Sequence, residues 1–202
     1  MEHIKSYKLF ESIRDKMEPK SDEEVKDLFS KLKRDDKLII ASRTGMFDKV
    51  KKLIKKHKHR FNPMAITLSM ESSLLNDNSD IFKLLMTKFN INDDLYNNLF
   101  RGAVDKGRYE IVEFLLDSGK IDLHFNNEWA MRCAIIKGFS DILKLLLDRG
   151  ADISKVDVKM AHQNISPMKI AKKNGYKRII NIINKEKSRN LIYTTYETFV
   201  TI

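Results

Sequence analysis

The apolar residues of this chain recur in a fixed order. In "GFSDILKLLLDRGADI", which runs from Gly138 to Ile153, a glycine and an acid are followed by paired apolar residues three to four positions apart. This is the spacing of an amphipathic helix. Related stretches such as "GRYEIVEFLL" and "GMFDKVKKLI" repeat the order. The pattern predicts five copies of one unit, which begin at Gly45, Asp77, Gly107, Gly138 and Gly175, at intervals of 32, 30, 31 and 37 residues.

A second helix is predicted upstream of each starting position. A small residue lies four positions before it and a large apolar residue seven positions before it, so both lie on one helix face. The small residues are Ala41, Ser73, Ala103, Ala134 and Ala171, and the large ones are Leu38, Met70, Phe100, Met131 and Met168. The glycine is expected to end this first helix in the left-handed conformation. The acid that follows, replaced by Arg178 in the fifth copy, then lies in the first turn of the second helix.

Each copy is too small to bury its own apolar face, so the copies are expected to stack around one core. This organisation resembles the ankyrin repeat, through residues such as Gly138, Asp141, Ile142 and Leu146, and through Ser166–Ala171, which is close to the Thr-Pro-Leu-His-x-Ala signature. The resemblance covers residues 34–185. It implies an all-α ankyrin-repeat solenoid of about five helix-turn-helix units.

The copies depart from the family pattern in two ways. Four of the five lack the Thr-Pro pair, and most intervals are shorter than the family period of about 33 residues. The last interval is longer, which predicts an insertion within residues 154–165. Short, Asn- and Lys-rich copies are similar in style to the ankyrin proteins of large DNA viruses or intracellular bacteria.

The two ends do not follow the repeat. Residues 1–33 contain a capping box, Ser21 with Glu24, followed by an apolar stripe that includes Phe29, which predicts a helical N-terminal cap. Residues 186–202 form a C-terminal tail rich in β-branched and aromatic residues. It could be a strand, a lid on the last repeat, or an edge that pairs with another chain.

Composition adds a net charge of +10, much of it in residues 49–60 and 169–189. Such an excess points to an acidic partner or a polyanion, or else to a solvated lysine-rich surface. One cysteine, no apolar run long enough to span a bilayer, and a charged N-terminus unlike a secretory signal favour a cytoplasmic or nuclear monomer, in the host cell if the protein is viral. No membrane partner is expected.

Catalytic chemistry finds no support in the sequence. His57 and His59 lie in a lysine run, and the remaining histidines have no partner at metal-ligand spacing. Cys133, beside the small Ala134, is predicted to be a buried structural thiol. There is no phosphate-binding glycine loop and no nucleophile elbow. The protein is therefore expected to be non-enzymatic, with no catalytic residue, metal or cofactor.

The resemblance implies a protein–protein interaction scaffold that binds through the concave face of the first helices and through the hairpin tips. The concave positions are the two residues before each glycine, and four of the five copies carry a cation there. The candidate binding residues at these positions are Arg43, Asp105, Lys106, Ile136, Lys137 and Lys173. Such a row predicts an acidic protein partner, with Asp105 partly neutralising it; the alternative is that lysine is merely common.

The tip before the fourth copy, residues 123–130, is the other candidate. Phe125, Asn126, Glu128 and Trp129 are predicted to contact a partner there, because tryptophan is enriched among interface hot spots. The alternative is that Trp129 packs between neighbouring tips. Nucleic-acid binding through the basic segments is the second function considered; against it, residues 49–60 fall on a convex second helix without an aromatic stacking pattern.

Overall fold

The computed structural model describes residues 29–156, 158–160 and 163–200. The chain divides into two compact units, one up to Asn90 and the other from Ile91 onward. The described residues are mostly helical, with one short two-stranded hairpin. Within each unit, helix pairs separated by a tight turn stack side by side, which confirms the all-α repeat fold that the sequence predicts.

The first unit contains the first two copies. Its elements are α1 Arg34–Arg43, α2 Phe47–His57, a 3-10 helix Lys58–Arg60, α3 Pro63–Leu75 and α4 Ser79–Lys88. The first helices α1 and α3 pack together, and so do the second helices α2 and α4. Leu38, Val50, Met70 and Phe82, one from each helix, are fully buried between them. The two copies therefore share one core, as units that cannot bury their own apolar faces must.

The second unit contains the last three copies. Its elements are α5 Asp93–Asp105, α6 Tyr109–Asp117, α7 Phe125–Lys137, α8 Ser140–Asp148, a 3-10 helix Ile153–Lys155, β1 Val158–Met160, β2 Gln163–Ile165, α9 Pro167–Lys173 and α10 Lys177–Val200. The first helices pack in the order α5, α7, α9, and the second helices in the order α6, α8, α10. Ile111, Leu115, Ile142 and Leu146 are buried on the inward faces of α6 and α8.

The turn between the two helices of a copy follows the predicted rules. Gly45, Gly107, Gly138 and Gly175 have positive φ angles of 68–82°, and in the weaker copy Asp77 adopts φ 62°. The small residues four positions upstream are all fully buried. Of the large residues seven positions upstream, only Met168 is half-buried rather than buried.

Neighbouring copies also meet at these turns. In three copies the residue after the starting position covers the turn of the copy before it: Asn78 lies against Gly45, Phe139 against Gly107, and Tyr176 against Gly138. The Nδ2 of Asn78 donates to the backbone oxygens of Ser42 and Arg43 at 2.9 and 3.0 Å. The side chain from one copy thus satisfies carbonyls that the end of α1 leaves without helical partners.

The insertion predicted within residues 154–165 contains the hairpin. The strands β1 and β2 are antiparallel, and Val158 pairs with Ile165. Directly after β2, Ser166 caps α9 by accepting a hydrogen bond from the backbone N–H of Lys169, and Pro167 occupies the first turn. The inserted residues therefore end where the near-signature begins, and the helix start follows the family pattern.

Most of the predicted N-terminal cap, residues 1–28, lies outside the described residues. Phe29 accepts a cation–π contact from Lys49 of α2, with Nζ 4.5 Å from the ring centroid. At the other end, α10 continues to Val200. The tail is therefore helical between residues 190 and 200 rather than a strand, and its role as a lid stays a prediction. Over the described residues, no helix is apolar for long enough to cross a bilayer.

Candidate functional site

A groove of about 480 Å³ opens in the second unit. One wall is the exposed side of α5, which contributes Asn97, Asn98 and Arg101. The other wall is the loop after α6 together with the start of α7, which contributes Lys120, Ile121, Asp122, Leu123, Phe125 and Trp129. The groove lies between the first helix of the third copy and the tip of the fourth, and it contains both aromatic residues that the sequence singled out.

The tip is held in shape by local hydrogen bonds. The Asp122 carboxylate accepts from the backbone N–H of His124 at 2.9 Å, and the Asp122 carbonyl accepts from the N–H of Phe125 at 3.3 Å. The ring of Phe125 is 54% exposed, and Trp129, one helical turn later, is half-buried. A half-exposed aromatic pair in a concave surface is the arrangement that a partner's apolar side chain can complete.

The prediction that Glu128 contacts a partner is wrong, because its side chain is only 1% exposed. Its Oε1 pairs with Nδ1 of His124 and accepts from the backbone N–H of Asp152 at 3.3 Å. Oε2 has no hydrogen-bond partner among the described residues. Glu128 therefore ties the tip to the loop after α8. The backbone at Asn126 and Glu128 is left-handed, with φ of 50° and 57°, and Asn126 is exposed.

The polar residues around the groove carry mixed charge. Arg101 hydrogen-bonds to Asn98, and the Lys120 ammonium lies 5.3 Å from the centroid of Tyr96. Asp94 and Asp122 add two carboxylates to the lining. Sequence reasoning missed Asn97, Asn98 and Arg101. Their spacing could have identified them, because Asn97 and Arg101 are four positions apart and therefore lie on the same polar side of the helix.

The predicted row of cations is partly neutralised. The Nζ of Lys137 lies 2.6 Å from Oδ1 of Asp105, and the Nζ of Lys106 lies 3.4 Å from Oδ2. The hydrogen bond from Lys137 holds the pKa of Asp105 below its ordinary value, and the same bond raises the pKa of Lys137. One carboxylate thus serves two ammonium groups, which leaves a single net positive charge.

Of the other concave residues, two are exposed and one is half-buried. Ile136 is 38% exposed and Lys173 is exposed at the end of α9. Arg43 belongs to the first unit, where it is half-buried at the end of α1. Beside the row, Cys133 is half-buried and not fully buried as the sequence predicts, and its partial burial raises the pKa of the thiol. In the part of the chain that the structure describes, no three His, Cys, Asp or Glu side chains converge as a metal site would need.

These features define a class: a helical-repeat protein whose stacked two-helix units present one groove between a first helix and a neighbouring tip. Residues 68–157 match the family model for ankyrin repeats, described as three copies. This part of the chain therefore consists of ankyrin repeats. No curated protein sequence matched it. Ankyrin repeats generally mediate protein–protein interactions and are typically non-enzymatic modules.

Proposed function

We propose that this protein is a non-enzymatic scaffold that binds a protein partner through the groove of the second unit. The observation that carries the proposal is the pair Phe125 and Trp129, which share a concave surface with polar groups around it. Protein-binding hot spots combine a desolvated aromatic centre with a rim of hydrogen-bonding groups. The proposed ligand is a partner segment that places a large apolar side chain against both rings.

The polar residues around the groove favour an extended or loop segment of the partner over an isolated side chain. Asn97 and Asn98 carry amides that can both donate and accept, as a peptide backbone does, and Arg101 donates only. Since the two cations of the lining, Arg101 and Lys120, are matched by two carboxylates, the groove itself has no strong preference for charge. The groove therefore supplies shape and an apolar contact, while charge selection comes from elsewhere.

We assign that charge selection to the concave residues. The net positive charge that remains around Asp105, together with Lys173, favours a partner with acidic residues beside its apolar anchor. Because Lys106 and Lys137 already pair with Asp105, their contribution is smaller than the bare row of cations suggests. The repeat style adds the proposal that the partner is a host protein of a virus or an intracellular bacterium.

The experiment uses peptides selected from a random display library against the full chain. Their affinity is then measured for the wild type, Trp129→Ala and Phe125→Ala. Truncating a hot-spot aromatic costs about 2 kcal/mol or more, roughly 30-fold in Kd. The matched control is Phe47→Ala, because Phe47 is an exposed aromatic, 38% exposed, in the first unit.

The expected result is a loss of binding in the two groove variants and unchanged binding in the control. Thermal unfolding is recorded for all four proteins, since a partly buried aromatic also contributes to stability. Equal affinity in all four proteins would refute the proposal. So would an affinity loss that simply follows the loss of folded protein.

A further inference from the structure

A second concave surface lies in the first unit, far along the chain from the groove. It is a basin of about 580 Å³ between the end of α2, the 3-10 helix and the end of α4. Six lysine and arginine side chains line it: Lys51, Lys55, Lys56, Lys58, Arg60 and Lys88. His57 and His59 join them, with Ile54 and Leu84 as the apolar residues. None of the described residues that line the basin is acidic.

The local structure explains why these cations converge. Lys51 and Lys55 are one helical turn apart on α2, so they lie on the same side of the helix. The 3-10 helix then turns the chain, and it brings Lys58 and Arg60 to the same rim. Lys88 is the last residue of α4. Both helices end at this basin, where the negative end of each helix dipole stabilises cations and offsets part of their mutual repulsion.

That stabilisation does not remove the positive potential, as His57 indicates. Its Nδ1 is buried and has no hydrogen-bond partner among the described residues. Burial and the nearby cations Lys56, Arg34 and Arg60 hold the pKa of His57 below its ordinary value. Arg34, on α1, lies over the ring of Phe61, and its Nε is 3.2 Å from Oδ1 of Asp35. The lowered pKa of His57 agrees with the excess of cations over carboxylates in the lining of the basin.

We propose that this basin binds a compact polyphosphate, a small molecule or headgroup that carries several phosphates close together. The volume falls in the range of about 300–1,000 Å³ typical of small-ligand sites. Lysine and arginine are the side chains that neutralise phosphate oxygens. The site is separate from the groove of the second unit, and it does not depend on the protein-binding function proposed above.

The geometry favours a compact ligand over a nucleic-acid strand. Single strands are held by aromatic side chains on which bases stack, and the described lining of the basin contains no aromatic ring apart from the two imidazoles. The cations also come from α2, the 3-10 helix and α4 around one concavity, and not from one helix alone. A nucleic acid that bound better than a compact polyphosphate would therefore contradict the proposal.

The test is calorimetric titration of the full chain with inositol hexakisphosphate at about 0.15 M salt, where contacts between isolated surface charges are screened. The basin variant is Lys51→Glu/Lys55→Glu, and Lys88→Glu is an independent variant on the other helix. The matched control is Lys169→Glu/Lys172→Glu, two exposed residues of α9, which changes the net charge by the same amount as the double basin variant. Circular dichroism confirms that each variant is folded.

We expect one ligand per chain, at least a tenfold loss of affinity in both basin variants, and less than a twofold loss in the control. A loss of the same size in basin and control variants would mean a general charge effect and would overturn the proposal. Absence of binding by the wild type would overturn it as well.

Two further arms locate the ligand and identify its source. An NMR pH titration should show the pKa of His57 rising when inositol hexakisphosphate is saturating, because phosphate oxygens bring negative charge close to the ring and favour its protonated form. An unchanged His57 pKa would place the anion elsewhere and refute the basin. Vesicles with about 5% phosphatidylinositol bisphosphate, against phosphatidylcholine alone, distinguish a lipid headgroup from a free polyphosphate, and stronger binding of a 20-base-pair DNA duplex would contradict both.

Discussion

The substitution Gly138→Ala tests how neighbouring copies are held together. Gly138 has φ 82°, so alanine there is strained by about 1–2 kcal/mol. An added Cβ would also lie 2.9 Å from Cζ and 3.0 Å from Cε1 of Tyr176, whose ring comes from the next copy. Overfilling a packed contact typically costs another 1–3 kcal/mol or so. We therefore expect a total loss of about 2–5 kcal/mol in the free energy of unfolding.

The matched control is Gly119→Ala. Gly119 has φ 68°, and nothing lies within 4 Å of its added Cβ, so this variant should lose only the backbone term of about 1–2 kcal/mol. Urea unfolding of both variants gives the difference, and Tyr176→Ala completes a double-mutant cycle. In the Tyr176→Ala background, the cost of Gly138→Ala should fall to that of the control. Equal costs for the two glycines in the wild-type background would refute this description of the contact.

Three other substitutions or modifications follow from the described contacts. Asn78→Ala should lower the free energy of unfolding by about 1–3 kcal/mol, because two carbonyls at the end of α1 lose their donor; urea unfolding measures it. Asp105→Asn should cost less than about 1 kcal/mol at neutral pH, since the pair with Lys137 is well exposed. Because the folded pKa of Asp105 is depressed, its contribution is present above the unfolded pKa and is lost as pH falls through the folded pKa, so the two proteins should converge in acid. Cys133 should react more slowly with iodoacetamide in the folded chain than in urea, and equal rates would contradict its partial burial and raised pKa.

The repeat fold was predictable because its signal is local and occurs five times. Each turn needs a residue that tolerates positive φ, and each close approach of two helices needs a small side chain. Even the weaker second copy keeps the register, with Asp77 in the left-handed conformation. The interlocking of Asn78, Phe139 and Tyr176 with the preceding turns was not predicted. These residues differ chemically, so no single residue type marks their shared position.

The candidate site was predicted only in part, because a groove is made by residues distant in sequence. Phe125 and Trp129 were recognisable as large aromatics at a tip, whereas the wall from α5 needed the packing of two copies. The inward turn of Glu128 depends on left-handed backbone that its sequence does not signal. Asp105 pairs with Lys106, its neighbour in sequence, and with Lys137, 32 residues away. Only the pair with Lys137 depends on the stacking of two copies.

Fluorescence of Trp129 tests the central claim most directly, because it is the only tryptophan in the chain and it lies in the groove. The tightest selected peptide, free of tryptophan, is titrated into the wild-type protein. If a partner's apolar side chain covers Trp129, its emission should move to shorter wavelength with the same Kd that calorimetry gives. Saturated binding with unchanged Trp129 emission would contradict the claim that this groove is where the protein holds its partner.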